Sequence, residues 1–390
     1  MIIAIDLRAL TSGITSGVET YTVNLVNELM RLNPDDTHIL YVNSYKELKG
    51  LFENFKGHRH VKLQTRIPNK IFNLLLAVFR YPKLDHLIKK KTGLRPDIFF
   101  APDLRPSPLG KYAKKIITIH DLSFIHYPEF FSLKTRLWYK YIKPVKEIKE
   151  AARLIAVSKF TATDLIDTYG IAPDKITVIH EGVRGKFATT ASAKEKQAVK
   201  NIYNLPEKFF LFFGTLEPRK NLPSLIKAFD GFTKKNNDFK LVICGQMNPK
   251  VFNKFTPPNN PRVIYTGFVK EHHKPIIYQL SEALIYPSYF EGFGLPIAEA
   301  IKSGTPVITS NTGSMPEIAQ GSAILINPHD WKTIAKAMKN IINPAERKIL
   351  IQKMAPVAKK YTWEKSARKT AELFHSISPS ACNPSKKEQR

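Results

Sequence analysis

The chain has 390 residues, 60 of them basic and 33 acidic, and therefore a formal net charge of +27 at pH 7. This length suits two domains with separate cores, and a hydrophobic fraction of 43% excludes a disordered chain. The two cysteines are too few for a disulfide framework. No apolar run approaches the ~18 residues of a membrane-spanning helix, and the N-terminus lacks a signal-peptide pattern. We therefore expect a cytoplasmic protein.

Short apolar runs alternate with amphipathic stretches in the first half of the chain, as in a parallel sheet covered by helices. The predicted strands are 2–5, 39–42, 61–63, 98–101, 116–119, 154–157 and 176–179. The predicted helices are 18–32, 72–91 with a break near Pro82, 133–151 and 159–169. Ser158 is expected to cap the last of these helices, since serine is a preferred N-cap residue.

The same alternation begins again at Phe209. The predicted strands are 209–213, 241–244, 263–265, 283–286, 307–309 and 323–326, and the predicted helices are 222–235, 271–280, 297–303 and 331–342. We therefore predict an α/β protein with two facing, doubly wound Rossmann-like domains at 1–185 and 206–375, a linker at 186–205 and a disordered basic tail at 376–390. Ligands of such sheets bind at the carboxyl ends of the strands, so the cleft between the domains is the predicted site.

The positive charge is concentrated in one part of the predicted N-terminal domain. Residues 51–150 contain 21 basic and eight acidic side chains, whereas residues 1–50 contain four basic and six acidic ones. Such a patch attracts polyanions, which include nucleic acids, anionic lipids and phosphorylated substrates. The alternative is that surface lysines only keep the protein soluble.

Two stretches of this basic region combine cations with apolar side chains. Residues 69–93 and 134–149 both alternate lysine or arginine with aliphatic and aromatic residues. This composition is typical of segments that lie in a membrane interface, and it favours an anionic membrane surface over nucleic acid as the partner. For each helix alone, packing against the domain core is the simpler explanation.

Several well-known functional motifs are missing from the sequence. It contains no Walker loop, no G-x-G-x-x-G, no H-E-x-x-H and no Asp-x-Asp pair. His272 and His273 are adjacent but have no further ligands at a useful spacing, so no metal site is predicted. Phosphate binding would therefore depend on cationic side chains and backbone N–H groups.

The segment 213–221 offers such groups. It follows a predicted buried strand, opens a helix and contains Arg219 and Lys220. Two cations near a helix N-terminus could stabilise a departing diphosphate. An ordinary basic helix cap is the alternative interpretation.

The segment 288–300 is the second candidate for ligand binding. Gly292 and Gly294 allow the backbone to approach a ligand closely, and Glu291 and Glu299 flank the start of the predicted helix. Carboxylates in these positions suit sugar or ribose hydroxyls. Their spacing alone would also fit two unrelated surface charges.

Together these segments resemble the retaining nucleotide-sugar glycosyltransferases of family four, the group-one transferases. The matching motifs are E-P-R-K-N at 217–221, E-G-F-G-L-P-I-A-E-A at 291–300, and the segments 119–124, 156–161, 178–183, 304–307 and 313–317. They occur in the family's order over nearly the whole chain. The resemblance implies the two-domain GT-B architecture.

The resemblance also implies roles for individual residues. Arg219 and Lys220 would bind the donor diphosphate, as a metal ion does in other transferases, so the reaction would need no metal. Glu299 would bind the ribose hydroxyls, and Glu291 would contact the transferred sugar. The catalytic set is completed by His120, which would orient the sugar.

Further positions are implied to bind the donor. These are Gly17, Val269, Gly292, Phe293, Gly294 and Leu295. Val269 belongs to a segment expected to line the base pocket, and the backbone from Gly292 onward would hold sugar hydroxyls and phosphate. The family usually has two glycines where this chain has Ser16 and Gly17, which weakens the assignment of Gly17.

The expected reaction retains the configuration of the sugar, and the leaving diphosphate deprotonates the acceptor. The segment 120–132 resembles the mannosyltransferase branch that builds O-antigen and related surface polysaccharides, so GDP-mannose is the favoured donor substrate. UDP-glucose or another UDP-sugar is the alternative, and no cofactor is expected. The acceptor would be a glycan or lipid-linked glycan, which places the enzyme peripherally on the inner face of the plasma membrane.

Two other function classes compete with this one. A sugar-nucleotide epimerase can share the fold but would convert the donor without an acceptor. A nucleic-acid binder is suggested only by the net charge, and no helix-turn-helix, zinc-finger or base-stacking motif supports it. Nucleic acid is therefore not an expected partner.

Overall fold

The computed structural model describes residues 1–12, 17–46, 48, 50–56, 60–248 and 260–377 of the chain. The chain divides into two compact units. Unit 1 comprises Met1–Leu122, Leu137–Gly182 and the segment that begins at Trp363, and unit 2 comprises Ser123–Arg136 and Val183–Thr362.

The first part of the chain contains seven strands and seven α-helices among its described residues. The strands are β1 (Ile2–Asp6), β2 (Thr37–Asn43), β3 (His60–Thr65), β4 (Ile98–Ala101), β5 (Lys114–Ile119), β6 (Arg153–Ala156) and β7 (Ile176–Val178). The helices are α1 (Gly17–Leu32), α2 (Asn69–Leu74), α3 (Leu84–Thr92), α4 (Ser123–His126), α5 (Leu133–Ile142), α6 (Pro144–Glu150) and α7 (Lys159–Tyr169).

The second part of the chain continues this alternation. The strands are β8 (Phe209–Phe213), β9 (Lys240–Cys244), β10 (Val263–Gly267), β11 (Ala283–Tyr286), β12 (Val307–Ser310) and β13 (Ile324–Ile326). The helices are α8 (Ala193–Tyr203), α9 (Leu222–Thr233), α10 (Lys274–Leu280), α11 (Leu295–Lys302), α12 (Met315–Ala319), α13 (Trp331–Ile341), α14 (Pro344–Ala358) and α15 (Trp363–Ile377).

Unit 1 is built on a parallel sheet with the strand order β3-β2-β1-β4-β5-β6-β7. Ile3 of β1 lies opposite His38 of β2 on one side and Ile98 of β4 on the other. The strand order reverses between β1 and β4, which is the Rossmann-type switch point where ligands of such sheets bind. All seven strands predicted for this half are confirmed.

Unit 2 contains a second parallel sheet, with the order β10-β9-β8-β11-β12-β13. Every residue of β8 is buried, because helices cover both faces of a parallel sheet and its central strands become continuously apolar. The switch point lies between β8 and β11, at whose carboxyl ends the segments 213–221 and 288–300 begin. The prediction of two Rossmann-like domains is confirmed.

The C-terminal helix belongs to the N-terminal unit. Trp363 and Phe374 of α15 lie in the same hydrophobic core as Leu25 of α1 and Phe100 of β4, and the Phe374 and Phe100 rings are 5.2 Å apart. The predicted domain boundaries at residues 185 and 206 therefore differ from the two units of the structure, because the C-terminal helix returns to unit 1. Helix α15 belongs to unit 1 because its apolar face packs in the hydrophobic core of that unit.

Two further segments differ from the expected domain boundaries. Ser123–Arg136 lies in unit 2, within the range expected for the N-terminal domain. The expected linker contains α8, an ordered helix of unit 2 whose N-terminus is closed by a capping box between Ser192 and Glu195. The part of the predicted tail beyond Ile377 lies outside the described residues.

Two of the predicted helices are interrupted. The helix expected over 72–91 consists of α2, a π-helical turn at Leu75–Phe79, and α3, and the break predicted near Pro82 is confirmed because residues 80–83 are not helical. The helix expected over 133–151 is α5 and α6, because Lys143 has a φ of 48° and Pro144 begins a new helix. The predicted cap of α7 is confirmed, since the Ser158 hydroxyl accepts the Thr161 N–H at 3.0 Å.

Candidate active site

The loop after β8 is fixed in a short 3₁₀ turn, Pro218–Lys220. The turn ends at Asn221, which has a φ of 58°, a conformation that asparagine tolerates better than most residues. The Asn221 amide donates to the carbonyl oxygens of Pro287, at 3.2 Å, and Pro328, at 2.7 Å. These bonds attach the turn to the loops that follow β11 and β13.

Arg219 and Lys220 form a buried ion-pair cluster with two glutamates. Arg219 lies 2.6 Å from Glu217 and 2.9 Å from one carboxylate oxygen of Glu291. Lys220 lies 2.6 Å from the other oxygen of Glu291, and its ammonium group also donates to the Tyr286 hydroxyl. The two loops predicted separately from the sequence thus meet in one cluster at the switch point of unit 2.

The cluster is electrically balanced, with two cations and two carboxylates. Burial alone would raise the pKa of Glu291, but the adjacent Arg219 and Lys220 outweigh that effect and lower it to about 2. Glu291 is therefore ionised at neutral pH. An incoming diphosphate would compete with this carboxylate for the same two cations.

The backbone around Glu291 is held by the G-S-M-P-E segment. The Ser314 N–H donates to the Glu291 carbonyl at 3.1 Å, and the Ser314 hydroxyl lies 2.9 Å from the Phe293 carbonyl. Gly313 has a φ of 62°, and a Cβ there would meet the Glu291 carbonyl oxygen at 3.0 Å. Only glycine fits this close approach without strain.

Glu299 lies in α11, whereas Glu291 lies in the loop before this helix, and Glu299 is buried. Its carboxylate accepts the hydroxyl of the buried Tyr278 at 2.9 Å. Burial raises the pKa of Glu299 to about 7, and Lys274 offsets only part of this rise. Glu299 is thus close to half ionised at neutral pH, in contrast to Glu291.

The remaining donor-binding positions of unit 2 lie around the start of α11 and the end of β10. Gly294, with a φ of 89°, is the N-cap of α11, and Leu295 is its first residue. The Phe293 ring is buried edge-on against Tyr361, so only the backbone of Phe293 is left for a ligand. Val269 is buried after β10. The donor-binding roles expected of these positions stay predictions.

His120 follows β5 in unit 1 and lies between two hydrogen-bond acceptors. Its Nδ1 is 3.2 Å from a Glu181 carboxylate oxygen, and its Nε2 is 2.9 Å from the Pro102 carbonyl oxygen. Burial lowers the pKa of His120, but Glu181 outweighs it and raises the pKa overall. Since both neighbours accept, both ring nitrogens can donate only in the protonated imidazolium.

Gly17 is also in unit 1, where it is the first residue of α1. It is exposed, and a Cβ built on it would meet nothing within 4 Å. The adjacent Ser16 lies outside the described residues. The phosphate-binding role expected of Gly17 stays a prediction.

The segment Ser123–Arg136 packs on the loop that carries Glu291. The rings of His126 and Tyr127 lie 5.4 Å and 5.7 Å from the Phe290 ring, and Phe130 stacks on Tyr289 at 6.0 Å. These aromatic contacts explain why the segment belongs to unit 2. The sequence indicated the segment as a family motif but not this packing.

Several residues of the site were not predicted from the sequence. They are Glu217, Tyr278 and Tyr286 in unit 2 and Glu181 in unit 1. Glu217 and Glu181 lie inside the motifs that carried the resemblance, so motif membership was an available signal. Tyr278 and Tyr286 lie in apolar segments with no distinguishing spacing.

Two kinds of feature are absent from the described residues. No three His, Cys, Asp or Glu side chains in that part of the chain are grouped so as to hold a metal ion. Among the same residues, every helix is too short or too polar to span a lipid bilayer.

Two family models match the chain. The model for "Glycosyltransferase Family 4" matches residues 15–184, and the model for "Glycosyl transferases group 1" matches residues 193–360. Together they cover most of the chain, with His120 in the first match and the ion-pair cluster in the second. The chain therefore belongs to the group 1 glycosyltransferases of family 4.

Curated relatives and a solved structure agree with this assignment. The chain is 28% identical over 244 residues to the serotype-specific mannosyltransferase WbdA of Escherichia coli, covering 60% of this chain but 30% of that protein. It is 26% identical over 268 residues to the O-antigen chain mannosyltransferase B of Escherichia coli, covering 67% of this chain and 70% of that protein. Anabaena HepE in complex with UDP-glucose shares the fold, with a TM-score of 0.69 at 16% identity over 96% of this chain and 100% of that one.

Proposed function

We propose that this protein is a retaining mannosyltransferase that moves mannose from GDP-mannose to a glycan acceptor in surface-polysaccharide synthesis. The observation that carries the proposal is the buried cluster of Arg219 and Lys220 with Glu291 at the switch point of unit 2. It supplies two fixed cations where the carboxyl ends of β8 and β11 present a ligand site. The names of the curated relatives support mannose as the sugar.

The two cations suit the leaving group of such a donor. When the bond from the sugar to the diphosphate breaks, negative charge develops on the diphosphate oxygen. Arg219 and Lys220 would stabilise that charge from fixed, buried positions. The loss of one such stabilising group typically lowers the rate by about 10²–10³. They would thereby perform the task of a metal ion, so transfer should continue when divalent ions are chelated.

Glu291 and Glu299 would bind the two ends of the donor. Glu291 would bind hydroxyls of the sugar, and Glu299 would accept from the ribose hydroxyls with Tyr278 orienting its carboxylate. The backbone from Gly292 to Leu295 would contact sugar and phosphate, with Val269 beside the base. We also propose that His120 of unit 1 and, through its backbone, Gly17 contribute to donor binding.

Retention of configuration would follow from attack on the same face as departure. Glu291 is held by two cations, which makes its carboxylate a weak nucleophile. We therefore propose that the acceptor hydroxyl bonds to the anomeric carbon as the carbon–diphosphate bond breaks. The hydroxyl proton passes to an oxygen of the leaving diphosphate.

The acceptor is proposed to be a lipid-linked glycan at the cytoplasmic side of a membrane. The O-antigen function in the name of one relative supports a polysaccharide acceptor. A UDP-sugar is the second candidate donor, favoured by the UDP-glucose complex of HepE.

A donor screen tests this proposal. The purified chain is incubated with GDP-mannose, UDP-glucose or UDP-N-acetylglucosamine and a short mannose oligosaccharide, and product is measured by mass spectrometry with and without EDTA. We expect mannose transfer in both conditions and an anomeric proton spectrum that shows retention. Transfer only from a UDP-sugar would replace the donor assignment, and donor conversion without acceptor would indicate an epimerase.

A further inference from the structure

A group of apolar side chains on unit 1 is exposed to solvent. It consists of Ile71, Leu74, Val78, Phe79, Tyr81, Leu137, Tyr141 and Val145, and we refer to it as the docking surface. Phe79, Tyr81 and Leu137 each retain about two thirds of their full exposure, at 66%, 67% and 65%. Exposed apolar groups of this size are unusual on a soluble protein and mark interaction sites.

The first part of the docking surface lies on α2 and the π-helical turn after it. Phe72 and Leu76 point into the core of unit 1 and are fully buried. Ile71, Leu74 and Val78 lie on the other side of the same segment and are exposed. Packing against the core, the simpler alternative for this segment, therefore accounts for only one of its two apolar faces.

The second part lies on α5 and α6. Leu137 and Tyr141 are four residues apart on α5, with Leu133 one turn before them, so the three form an exposed apolar stripe. Ile142, on the opposite side of α5, is buried. The unit 1 part of α5, from Leu137 onward, thus carries exposed apolar side chains as well as a buried one.

An ion-pair cluster joins these two parts. The Arg80 guanidinium, between Phe79 and Tyr81 in the chain, pairs with Glu147 and Glu150 of α6. Phe79 and Tyr81 are therefore held next to the helix that begins with Pro144 and Val145. The ion pairs thus connect the segment of Phe79 and Tyr81 to α6, which carries Val145 and follows α5 directly in the chain.

The unit 1 segments that carry this surface also carry exposed basic side chains. They are Lys70, Lys140, Lys143, Lys146 and Lys149. The one exposed carboxylate on α6 in the described chain, Glu150, is engaged by Arg80 and Lys115. A second copy of the chain would bring like charges together here, so the charge favours an anionic partner.

The geometry points to the anionic surface of a lipid bilayer as the occupant, and we propose that the docking surface binds it. Apolar side chains would enter the boundary between headgroups and acyl chains, while the lysines would contact headgroup phosphates. Nucleic acid fits the charge but not aliphatic side chains such as Leu74 and Leu137. The inference rests on the proposed function only for its biological purpose, which is to bring the enzyme to a lipid-linked acceptor.

Vesicle flotation tests the inference with the full chain and no sugar donor. Vesicles of phosphatidylcholine are compared with vesicles of equal parts phosphatidylcholine and phosphatidylglycerol, at low and high salt. We expect binding only to the anionic vesicles and a loss of binding at high salt. The variant Phe79→Ser/Leu137→Ser and the variant Lys140→Glu/Lys146→Glu should each reduce binding about tenfold, since both apolar insertion and charge contribute.

The matched control replaces one exposed apolar residue and one exposed lysine on α14 of unit 2. Ile349 and Lys348 are also exposed, and Ile349→Ser/Lys348→Glu should bind vesicles as the unaltered chain does. Thermal melting verifies that the variants are folded. The proposal is overturned if the unaltered chain ignores anionic vesicles at low salt, or if folded docking-surface variants bind as well as the control.

Two further measurements distinguish a lipid bilayer from a second copy of the chain, and membrane binding from catalysis. Light scattering that shows a dimer lost in Phe79→Ser/Leu137→Ser would identify a second copy as the occupant and overturn the lipid assignment. Transfer to a soluble acceptor should be unchanged in the docking-surface variants. If no sugar is transferred but anionic vesicles are bound, the proposed function fails while the docking surface stands.

Discussion

The ammonium nitrogen of Lys220 lies 2.6 Å from a carboxylate oxygen of Glu291, a residue 71 positions later in the chain. The other oxygen of that carboxylate is 2.9 Å from Arg219. The two motifs that carry these residues therefore act as one electrostatic unit. Under the proposed function, a donor diphosphate would draw on cations that are already paired, so removal of Glu291 should alter the binding of the diphosphate.

The first prediction concerns the two cations. Arg219→Ala and Lys220→Ala should each lower kcat by about 10²–10³, because charge on the leaving diphosphate is no longer stabilised. Initial rates with a saturating nucleotide-sugar donor measure this effect. Lys234→Ala, at an exposed position after α9, is the matched control and should retain full activity.

Because Arg219 is buried beside Glu217, its removal also leaves a buried carboxylate with less compensation, and the free energy of unfolding should fall. Thermal melting separates this effect from catalysis, and Arg219→Lys keeps the charge. Near-normal turnover by folded Arg219→Ala would refute the assigned role.

The second prediction separates nucleotide binding from transfer. Glu291→Gln removes one of the two carboxylates that neutralise the cations, so GDP should bind about tenfold more tightly, as expected for a competing hydrogen bond between charged groups worth about 1.5 kcal/mol. Mannose transfer should fall, since Glu291 is assigned to the sugar. Calorimetric titration with GDP and initial rates give the two values. Weaker GDP binding by this variant would contradict competition between Glu291 and the diphosphate.

The third prediction is a pH dependence that originates at Glu299. Its pKa is raised to about 7 from an ordinary value of 4.5, so the ionised form, which is proposed to accept the ribose hydroxyls, is lost below pH 7. The donor KM should therefore rise as the pH falls from 8 to 6, and it should be nearly flat in Glu299→Gln. Tyr278→Phe removes a hydrogen bond that lowers this pKa, so the midpoint of the KM profile should move to higher pH.

The same group should make a measurable contribution to folding stability. Because the folded protein holds this proton up to about pH 7 and the unfolded chain only to about 4.5, the contribution of Glu299 to stability decreases as the pH rises between these values. Denaturation of the unaltered chain and Glu299→Gln at pH 5 and pH 8 measures it. An equal difference at both pH values would show that Glu299 does not titrate in this range.

The fourth prediction concerns the charge state of His120. Glu181→Gln removes the carboxylate that raises the pKa of His120, so that pKa should fall because burial then dominates. Titration of the His120 ring proton by NMR measures the change. Glu181 is 3.2 Å from His120 and is assigned no contact with the donor, so its substitution should affect activity only through His120. Activity should fall most at high pH, where the imidazolium form of His120 is lost first. A His120 pKa that is unchanged in Glu181→Gln would show that Glu181 does not control the charge state of His120.

Much of the architecture was determined by local sequence. The thirteen strands of the described residues occur where short apolar runs predicted them. The reason is clearest for the central strands, which are buried on both faces and must be apolar along their whole length. The Ser158 cap was likewise predictable, since its hydroxyl bonds to a backbone group only three residues away. The cationic pair and the two glutamates were found through motifs confined to short segments.

Tertiary structure alone decided which distant groups meet. The sequence does not show that α15 returns to the core of unit 1, because an apolar helix face fits any complementary core. Nor does it show that Lys220 is neutralised by Glu291, or that two adjacent cations lower the pKa of Glu291 while burial raises the pKa of Glu299. The spacing of the two glutamates along the chain does not reveal whether their carboxylates lie at the surface or are buried.

The net charge of +27 illustrates the same division. Composition placed the basic residues and their apolar neighbours in one quarter of the chain but left open which side chains face solvent. That was decided when α2 and α5 each buried one apolar face and exposed the other. Both faces of a helix can be apolar, and only the packing of the whole unit determines which face is buried.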